Sequence, residues 1–334
     1  MLLLIPAEIL VPQTTQACAS CGCTLSADAA MGYSALPGLR FNFQYDFIDQ
    51  DQLRTGTGTA TPAQVVNSPS NPALGGGEIE KQTINRYLTL GVNYTPDPSW
   101  NFTMLVPYVM RTHTTYGQQL APYSSSQTTP DQISGARFSE LGDIKLMGSY
   151  QGLLPTHNLG LQLGLKLPTG RYGTAVDFDS GPSAGTPLDA SLQPGTGSTD
   201  LIVGAYYYQA VSQDFDAFIN GQFQSAVAHK QDQPGNDFRP GNSSTMSVGV
   251  RYEAHSQWVP QLQVNVSRKS ADQGALADTT NTAGTVAYLS PGITVRVMER
   301  LHLFAFAQVP VYSRLDGYQL APRWTASIGG SYGF

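Results

Sequence analysis

The chain has 334 residues and a formal net charge of −6; 13% of its residues are charged, against 34 glycines and 17 tyrosines. No run of about 18 apolar residues can serve as a transmembrane helix, no basic patch marks a nucleic-acid partner, and so low a charge density is unusual for a soluble surface. Few charges with many small polar residues and tyrosines suit a transmembrane β-barrel, whose lipid face excludes charge.

In chain order, the first feature is the stretch MLLLIPAEILVPQTTQACAS. The apolar run 2–11, followed by Ala17-Cys18-Ala19, reads as the apolar region and small-residue cleavage site of a signal peptide over 1–19. No Lys or Arg precedes Arg40, so the basic start of such a peptide is missing and an upstream start codon is expected. The alternative is an ordinary buried N-terminal strand. Then CASCGC gathers all three cysteines, Cys18, Cys21 and Cys23. In an exported chain, cleavage after Ala19 leaves Cys21 and Cys23 as the disulfide or redox candidates. A metal site would need ligands from elsewhere, and lipidation of Cys18 would have to work from the poor preceding TQA. Haem attachment fails because Gly22 stands where the histidine belongs. No metal and no cofactor is assigned. Residues 20–37 form a Cys-containing periplasmic segment, a candidate dock for a periplasmic partner.

The first strong strand is GLRFNFQYDFI, with Leu39, Phe41, Phe43, Tyr45 and Phe47 on one face and Arg40, Asn42, Gln44 and Asp46 on the other. Period-2 alternation of this kind is the main strand signal. It recurs in TINRYLTLGVNY, WNFTMLVPY, GDIKLMGSY and NLGLQLGLKLP, the last with Leu159, Leu161, Leu163, Leu165 and Leu167 on one side. Further strands are read at TDLIVGAYYYQ, FDAFINGQFQSAV, TMSVGVRYE, WVPQLQVNVSR, TVAYLSPGITVRV, LHLFAFAQVPVY and RWTASIGGSYGF, about twelve in all. In LHLFAFAQVPVY the faces compete, Phe304 and Phe306 against Leu301 and Leu303.

The connections alternate. Polar segments 50–80, 112–135 and 169–198 are long and two more are moderate, while TPDPS, GLLPTH, AVSQD, AHSQ and MER are short. The last connection, SRLDGYQLAP, is intermediate. Antiparallel neighbours with two unequal ends are the pattern of an outer-membrane barrel, with short periplasmic turns and long outer loops. Segments of 10–13 residues exceed the 5 or 6 usual in soluble sheets and match the length needed to cross a bilayer at a tilt. Aromatics gather near the strand ends, as interfacial belts require. The terminal strand carries Trp324, Ile328, Tyr332 and Phe334 on one face and ends on the aromatic, which is similar to an outer-membrane assembly signal. It also implies pairing of the last strand with the first. The expected fold is an all-β, closed antiparallel barrel of about twelve strands over 38–334.

Several short motifs appear in order: ELGDIKLMGSY, LKLPTGRYG, PGTGSTDLIVGAYY, YLSPGITVRV and FAQVPVYSRLDGYQLAP. Together they resemble one family of bacterial outer-membrane barrels, the transporters associated with meta-pathway phenol degradation, although Glu140-Leu141-Gly142-Asp143 lacks the first glycine of that family's motif. The resemblance covers 38–334 and implies an outer-membrane barrel passing small, often aromatic, molecules. It names no solute.

If the apolar faces meet lipid, Arg40, Asp46, Arg111, Asp143, Lys145, Lys166, Asp200, Asp216, Arg251, Glu253, Arg296 and Arg323 line the lumen, since charge on the lipid side costs about 2–4 kcal/mol at mid-membrane. The modest cationic excess serves either as ion pairing that stiffens the barrel or as a field that favours anions. Loops 50–80 and 169–198 are the lid candidates. Arg86 falls on an apolar face, where only a position near the outer rim lets it reach headgroups. GPSAG (Gly181 to Gly185) matches a hydrolase motif that needs a strand-to-helix elbow, and this copy lies in a Pro-rich loop. Of the five histidines only His302 is placed on a strand. The resulting expectation is a non-enzymatic outer-membrane channel whose partners are membrane lipid, a small solute and the barrel-assembly machinery. Two alternatives stand beside it: a closed structural or sensing barrel, and a lipid hydrolase.

Overall fold

A computed structural model describes residues 37–66, 79–116, 133–255 and 257–334. The signal-peptide reading and Cys18, Cys21 and Cys23 lie outside the described residues. Strands dominate: β1 (Gly38–Gly56), β2 (Gly58–Thr59), β3 (Ile79–Asp97), β4 (Trp100–Tyr116), β5 (Ile133–Leu141), β6 (Ile144–Tyr150), β7 (Leu159–Leu167), β8 (Ser198–Ala210) and β9 (Phe215–His229). The short β10 (Asp232–Gln233) and β11 (Asn236–Asp237) make a loop hairpin, followed by β12 (Ser243–Tyr252), β13 (Trp258–Lys269), β14 (Gly284–Met298) and β15 (Leu301–Gly333). One turn of helix, α1 (Pro62–Val66), and a 3₁₀ turn (Ala190–Leu192) sit in loops. Among the described residues no helix is long and apolar enough to cross a membrane.

Eleven elements close a ring in the order β15-β14-β13-β12-β9-β8-β7-β6-β4-β3-β1, with β15 pairing back onto β1; β5 and β2 bond outside this path, to β4 and β1. Every pairing in the ring is antiparallel, and such a ring closes only with an even number of passes. β15 supplies two of them. Residues 301–315 pair with β14 and residues 315–333 with β1. The chain reverses at Gly317, whose φ of 63° lies in the left-handed region that glycine adopts freely. Gly333 N donates to Arg300 O at 2.9 Å, fastening the far ends of the two arms. β5 and β6 flank consecutive parts of β4 and make one interrupted pass.

The strand faces follow the alternation. Phe41, Phe43, Leu161, Leu163, Leu165, Val248, Val264 and Ile328 are exposed on the outside, Leu163 at 62%, whereas Gln44, Asp46, Gln162, Gln263 and Ser327 are buried within. A closed barrel with an apolar outer band and a polar interior is a transmembrane barrel of the bacterial outer membrane. Arg86 sits on the outside with its guanidinium 5.7 Å from the Phe47 ring, and Phe47 in turn contacts Trp324 at 5.5 Å. From Tyr94, near the opposite end of β3, to Arg86 is eight residues, about 26 Å along the strand and about 20 Å along the membrane normal at a barrel's tilt, most of the apolar band's height. Arg86 therefore lies in the upper aromatic belt, where its stem can reach the headgroups.

Three sequence expectations change. β1 runs on to Gly56, β4 runs to Tyr116 and β5 begins at Ile133, so parts of 50–80 and 112–135 are strand rather than loop. Likewise SRLDGYQLAP is two strand arms around a tight turn. Above the apolar band both faces of a strand meet water or other loops, so alternation fades while the backbone ladder continues. Val65, Ile79, Leu53, Tyr116 and Tyr318 pack together there.

The barrel interior as candidate functional site

The inward wall holds its polar groups in local networks. On β1, the Asp46 carboxylate accepts from Gln44 Nε2 at 2.9 Å and from Ser327 Oγ at 2.5 Å. Between β13 and β15, Asn265 donates to Ser290 Oγ at 2.8 Å and to Gln308 Oε1 at 3.2 Å. Gln319, fully buried, donates to Ala283 O and Asp316 O and pins the outer hairpin tip to loop 270–283. The polar residues of YLSPGITVRV and QVPVYSRLDGYQL thus act as internal fasteners.

The densest network lies at the break between β5 and β6. Asp143 Oδ2 accepts from Lys166 Nζ, Thr196 N and Thr196 Oγ1, each at 3.0 Å, and Oδ1 accepts from Gly170 N at 3.1 Å. Lys166 is also bonded to Thr196 Oγ1 and Ser198 Oγ and pairs with Asp200 at 3.2 Å. Asp200 accepts from Ser198 Oγ and Gln224 Nε2, both at 2.6 Å. Thr169 Oγ1 bridges Ile144 N and Gly142 O, each at 2.9 Å. A Cβ on Gly170 would come within 2.9 Å of Gly195, so only glycine lets the two backbones meet. Three motifs that are separate in sequence, Gly142-Asp143, Leu167 to Gly170 and Pro194 to Gly197, converge on one carboxylate.

This network fastens loop 168–197, which folds into the barrel. Val176, Phe178, Leu188 and Leu192 pack on Val109, Ala136 and Phe138, and Arg111 bonds Leu192 O, Asn85 Oδ1 and the Tyr87 hydroxyl, with its guanidinium 5.7 Å from the Phe138 ring. Ser191, Pro194 and Thr196 then line a cavity of about 560 Å³ together with the wall residues Asn42, Thr89 and Asn220. Asp189 caps the 3₁₀ turn by accepting from Ser191 N at 2.8 Å. Burial pushes its carboxyl up to about 7, with Asp278 and Asp272 adding to the rise against the Ser191 hydrogen bonds.

Asp46, Asp143, Lys145, Lys166 and Asp200 border this cavity, and Arg111 stands behind the loop. Arg40, Arg251 and Arg296 lie close enough to His302 to act on it electrostatically, which gathers them at the short-turn end of the barrel. Arg40 donates to Asn93 Oδ1 at 2.9 Å, Arg251 pairs with Glu253 at 3.0 Å, and Asp216 stands opposite Arg251 in the ladder. Arg323 departs from the inward set. The register steps from Ile48↔Thr325 to Gln50↔Pro322, so Arg323 and Trp324 together oppose Asp49 in a β-bulge. Both side chains are exposed, and Arg323 (65% exposed) pairs with Asp51 at 3.1 Å. The residues read from sequence as an assembly signal, Trp324, Ile328, Tyr332 and Phe334, are all exposed; Phe334 N donates to Leu39 O and its ring meets Phe41 and Tyr332 at 5.5 and 4.9 Å.

Phe304 and Phe306 are buried inward while Leu303 is exposed, which settles the competing faces of that strand. Their rings lie over Gly329 and Gly292, the neighbours that leave room for them. His113, expected in a loop, is buried on β4 with Nδ1 2.8 Å from Thr83 Oγ1, and His229 ends β9. GPSAG forms turns instead of a strand-to-helix elbow, with Ser183 buried and its N–H given to Ser134 Oγ at 3.0 Å. The loop's role in narrowing the cavity carried a sequence signal in its many glycines and prolines. Asp189 carried none.

No family profile matches the chain, and no curated protein matches it in sequence. Its fold is similar to the crystal structure of an outer membrane channel from Pseudomonas putida F1, with a TM-score of 0.62 and 12% identity over 91% of this chain and 98% of that one. A looser likeness, at a TM-score of 0.47 and 11% identity over 96% of each chain, is to the Ralstonia pickettii toluene transporter TbuX. At 12% identity the first likeness shows an outer-membrane barrel fold.

Proposed function

We propose that the chain is a passive outer-membrane channel for small molecules, with a lumen narrowed by loop 168–197 and a weak preference for anions. The observation that carries this reading is the cavity of about 560 Å³ inside a closed barrel, bordered jointly by the wall and the inserted loop. Its volume falls in the range of small-molecule sites. With Arg111 behind the loop and Arg323 set aside, the lumen-lining set is Arg40, Asp46, Asp143, Lys145, Lys166, Asp200, Asp216, Arg251, Glu253 and Arg296, five cations against five acids, so the preference rests on where the charges stand. Arg40, Arg251 and Arg296 give the periplasmic mouth a cationic collar that raises the local anion concentration. The motif resemblance to phenol-degradation transporters adds aromatic solutes to the expected class.

Reconstitution in a planar bilayer under a KCl gradient tests the reading. Discrete conductance steps with a reversal potential on the chloride side support it. Silence from correctly folded barrels supports instead a closed barrel, in which the inserted loop is a permanent plug.

A further inference from the structure

We propose that Lys145, Leu105 and Met147 form a binding site inside the barrel for a small carboxylate with an apolar body, aromatic or aliphatic. The inference rests on the channel reading for its biological purpose, but the site itself is argued from the wall.

The first observation is an unused cation. Lys145 borders the interior cavity and makes no hydrogen bond or ion pair with a described residue. Its cross-strand neighbour Lys166 is engaged at both Asp143 and Asp200. Those acids are occupied as well: Asp143 accepts from Gly170 N, Thr196 N and the Thr196 hydroxyl besides Lys166, and Asp200 from Ser198 and Gln224. Asp143 and Asp200 act on Lys145 through their charge, but their oxygens bond Lys166, the loop and Gln224, and the donors of Lys145 are left untaken on the cavity. A carboxylate arriving there finds charge-assisted N–H donors that no wall acceptor has taken.

The second observation is apolar surface where a barrel interior is normally polar. The inward face of β4 reads Asn101, Thr103, Leu105, Pro107, Val109, Arg111. Loop 168–197 covers Val109, but Leu105, Pro107 and Met147 remain half-buried on the cavity. Leu105 stands directly opposite Lys145 in the β4–β6 ladder, and Met147 follows two residues along the same face. Gly91 faces Leu105 from β3, and a Cβ there would come within 3.3 Å of the Leu105 side chain; the glycine keeps that side of the patch open. Structural packing would hide these groups. Here they stay half-exposed on an open cavity whose wall mixes apolar and polar groups, so they gain free energy when something apolar covers them. An ammonium beside an apolar patch selects a solute that is charged at one end and greasy at the other.

The test is equilibrium binding of benzoate to detergent-purified protein, followed by calorimetry, with acetate and benzyl alcohol as probes lacking the ring and the charge. Wild type should bind benzoate saturably and more tightly than either control. Lys145→Met should weaken benzoate at least tenfold and leave benzyl alcohol unchanged, Lys145→Arg should retain most of the affinity, and Leu105→Asn should weaken benzoate more than acetate. Heat-modifiable mobility on gels confirms that each variant is folded. The proposal is overturned if wild type shows no saturable benzoate binding, or if Lys145→Met keeps its affinity within twofold. Benzoate binding in a barrel that is silent in bilayers would sink the channel reading and leave this site standing; conductance without benzoate binding would do the reverse.

Discussion

Replacing Asp143 by asparagine should release loop 168–197 from the barrel wall. The carboxylate accepts four hydrogen bonds, three of them from the loop, and its side chain is 7% exposed. Asparagine keeps one acceptor oxygen and puts an NH₂ group where the other stood, so Gly170 N–H or the Thr196 donors must face a donor, and Asp200 is the one ion-pair partner left to Lys166 among the described residues. Hydrogen bonds to a charged group are worth about 1.5–3 kcal/mol each; losing one or two of them, with Lys166 still half-satisfied, amounts to about 3 kcal/mol. That is roughly a hundredfold in the ratio of docked to undocked loop. Hydrogen–deuterium exchange reads this ratio at the amides of Gly170 and Thr196, which bond the carboxylate directly. Exchange across 170–197 should accelerate by about a hundredfold in D143N while the amides of β12 and β13 hold steady. Acceleration of less than about threefold would mean that the loop is held by its apolar contacts with Val109 and Phe138, and that the convergence on Asp143 is incidental.

Asp189 predicts a pH dependence. Its carboxyl is raised to about 7 in the folded loop by burial, with Asp278, itself raised chiefly by burial, contributing a slope of the same sign. The undocked loop ionises first as pH rises, so docking should be tightest below about pH 4, loosen through pH 7 and then level off; exchange corrected for intrinsic rate would show this, and D189N should remove most of the slope. On the lipid face, L163R should destabilise the barrel by about 2–4 kcal/mol in urea titrations from liposomes. R86A should cost about 1 kcal/mol or less, the scale of a cation–π contact; a gain in stability of about 2–4 kcal/mol would mean that Arg86 lies at mid-membrane and not in the upper belt. Deleting Phe334 should reduce the amount of folded protein in the outer membrane severalfold while the purified barrel still refolds in detergent. An unchanged membrane yield would remove the assembly role from the terminal aromatic.

The strands were legible because lipid on one side and polar groups on the other write a period of two into residues such as Leu161, Leu163 and Leu165. Where the outer environment changes, that signal stops: DQDQLRTG continues β1 without alternation because its ladder stands above the apolar band. Phe304 and Phe306 were ambiguous on their own strand, and what turns them inward is the pair of glycines on neighbouring strands, a long-range fact. Arg323 was misplaced by a bulge, since one extra residue in the pairing puts two adjacent side chains on the same side. Parity says nothing of a charge's partners. Asp143 and Thr196 are separated by 53 positions, and only the inward fold of loop 168–197 joins them. Conversely, the short motifs stood out in sequence because glycines at 142, 170 and 195 are demanded by the close meeting of three backbones.

The most direct test of a conducting lumen gated by an anchored loop is single-channel recording of wild type beside D143N in the same bilayer. Small chloride-favouring steps are expected from wild type, with larger or longer openings from the variant. Two silent proteins, or two with indistinguishable traces, would contradict it.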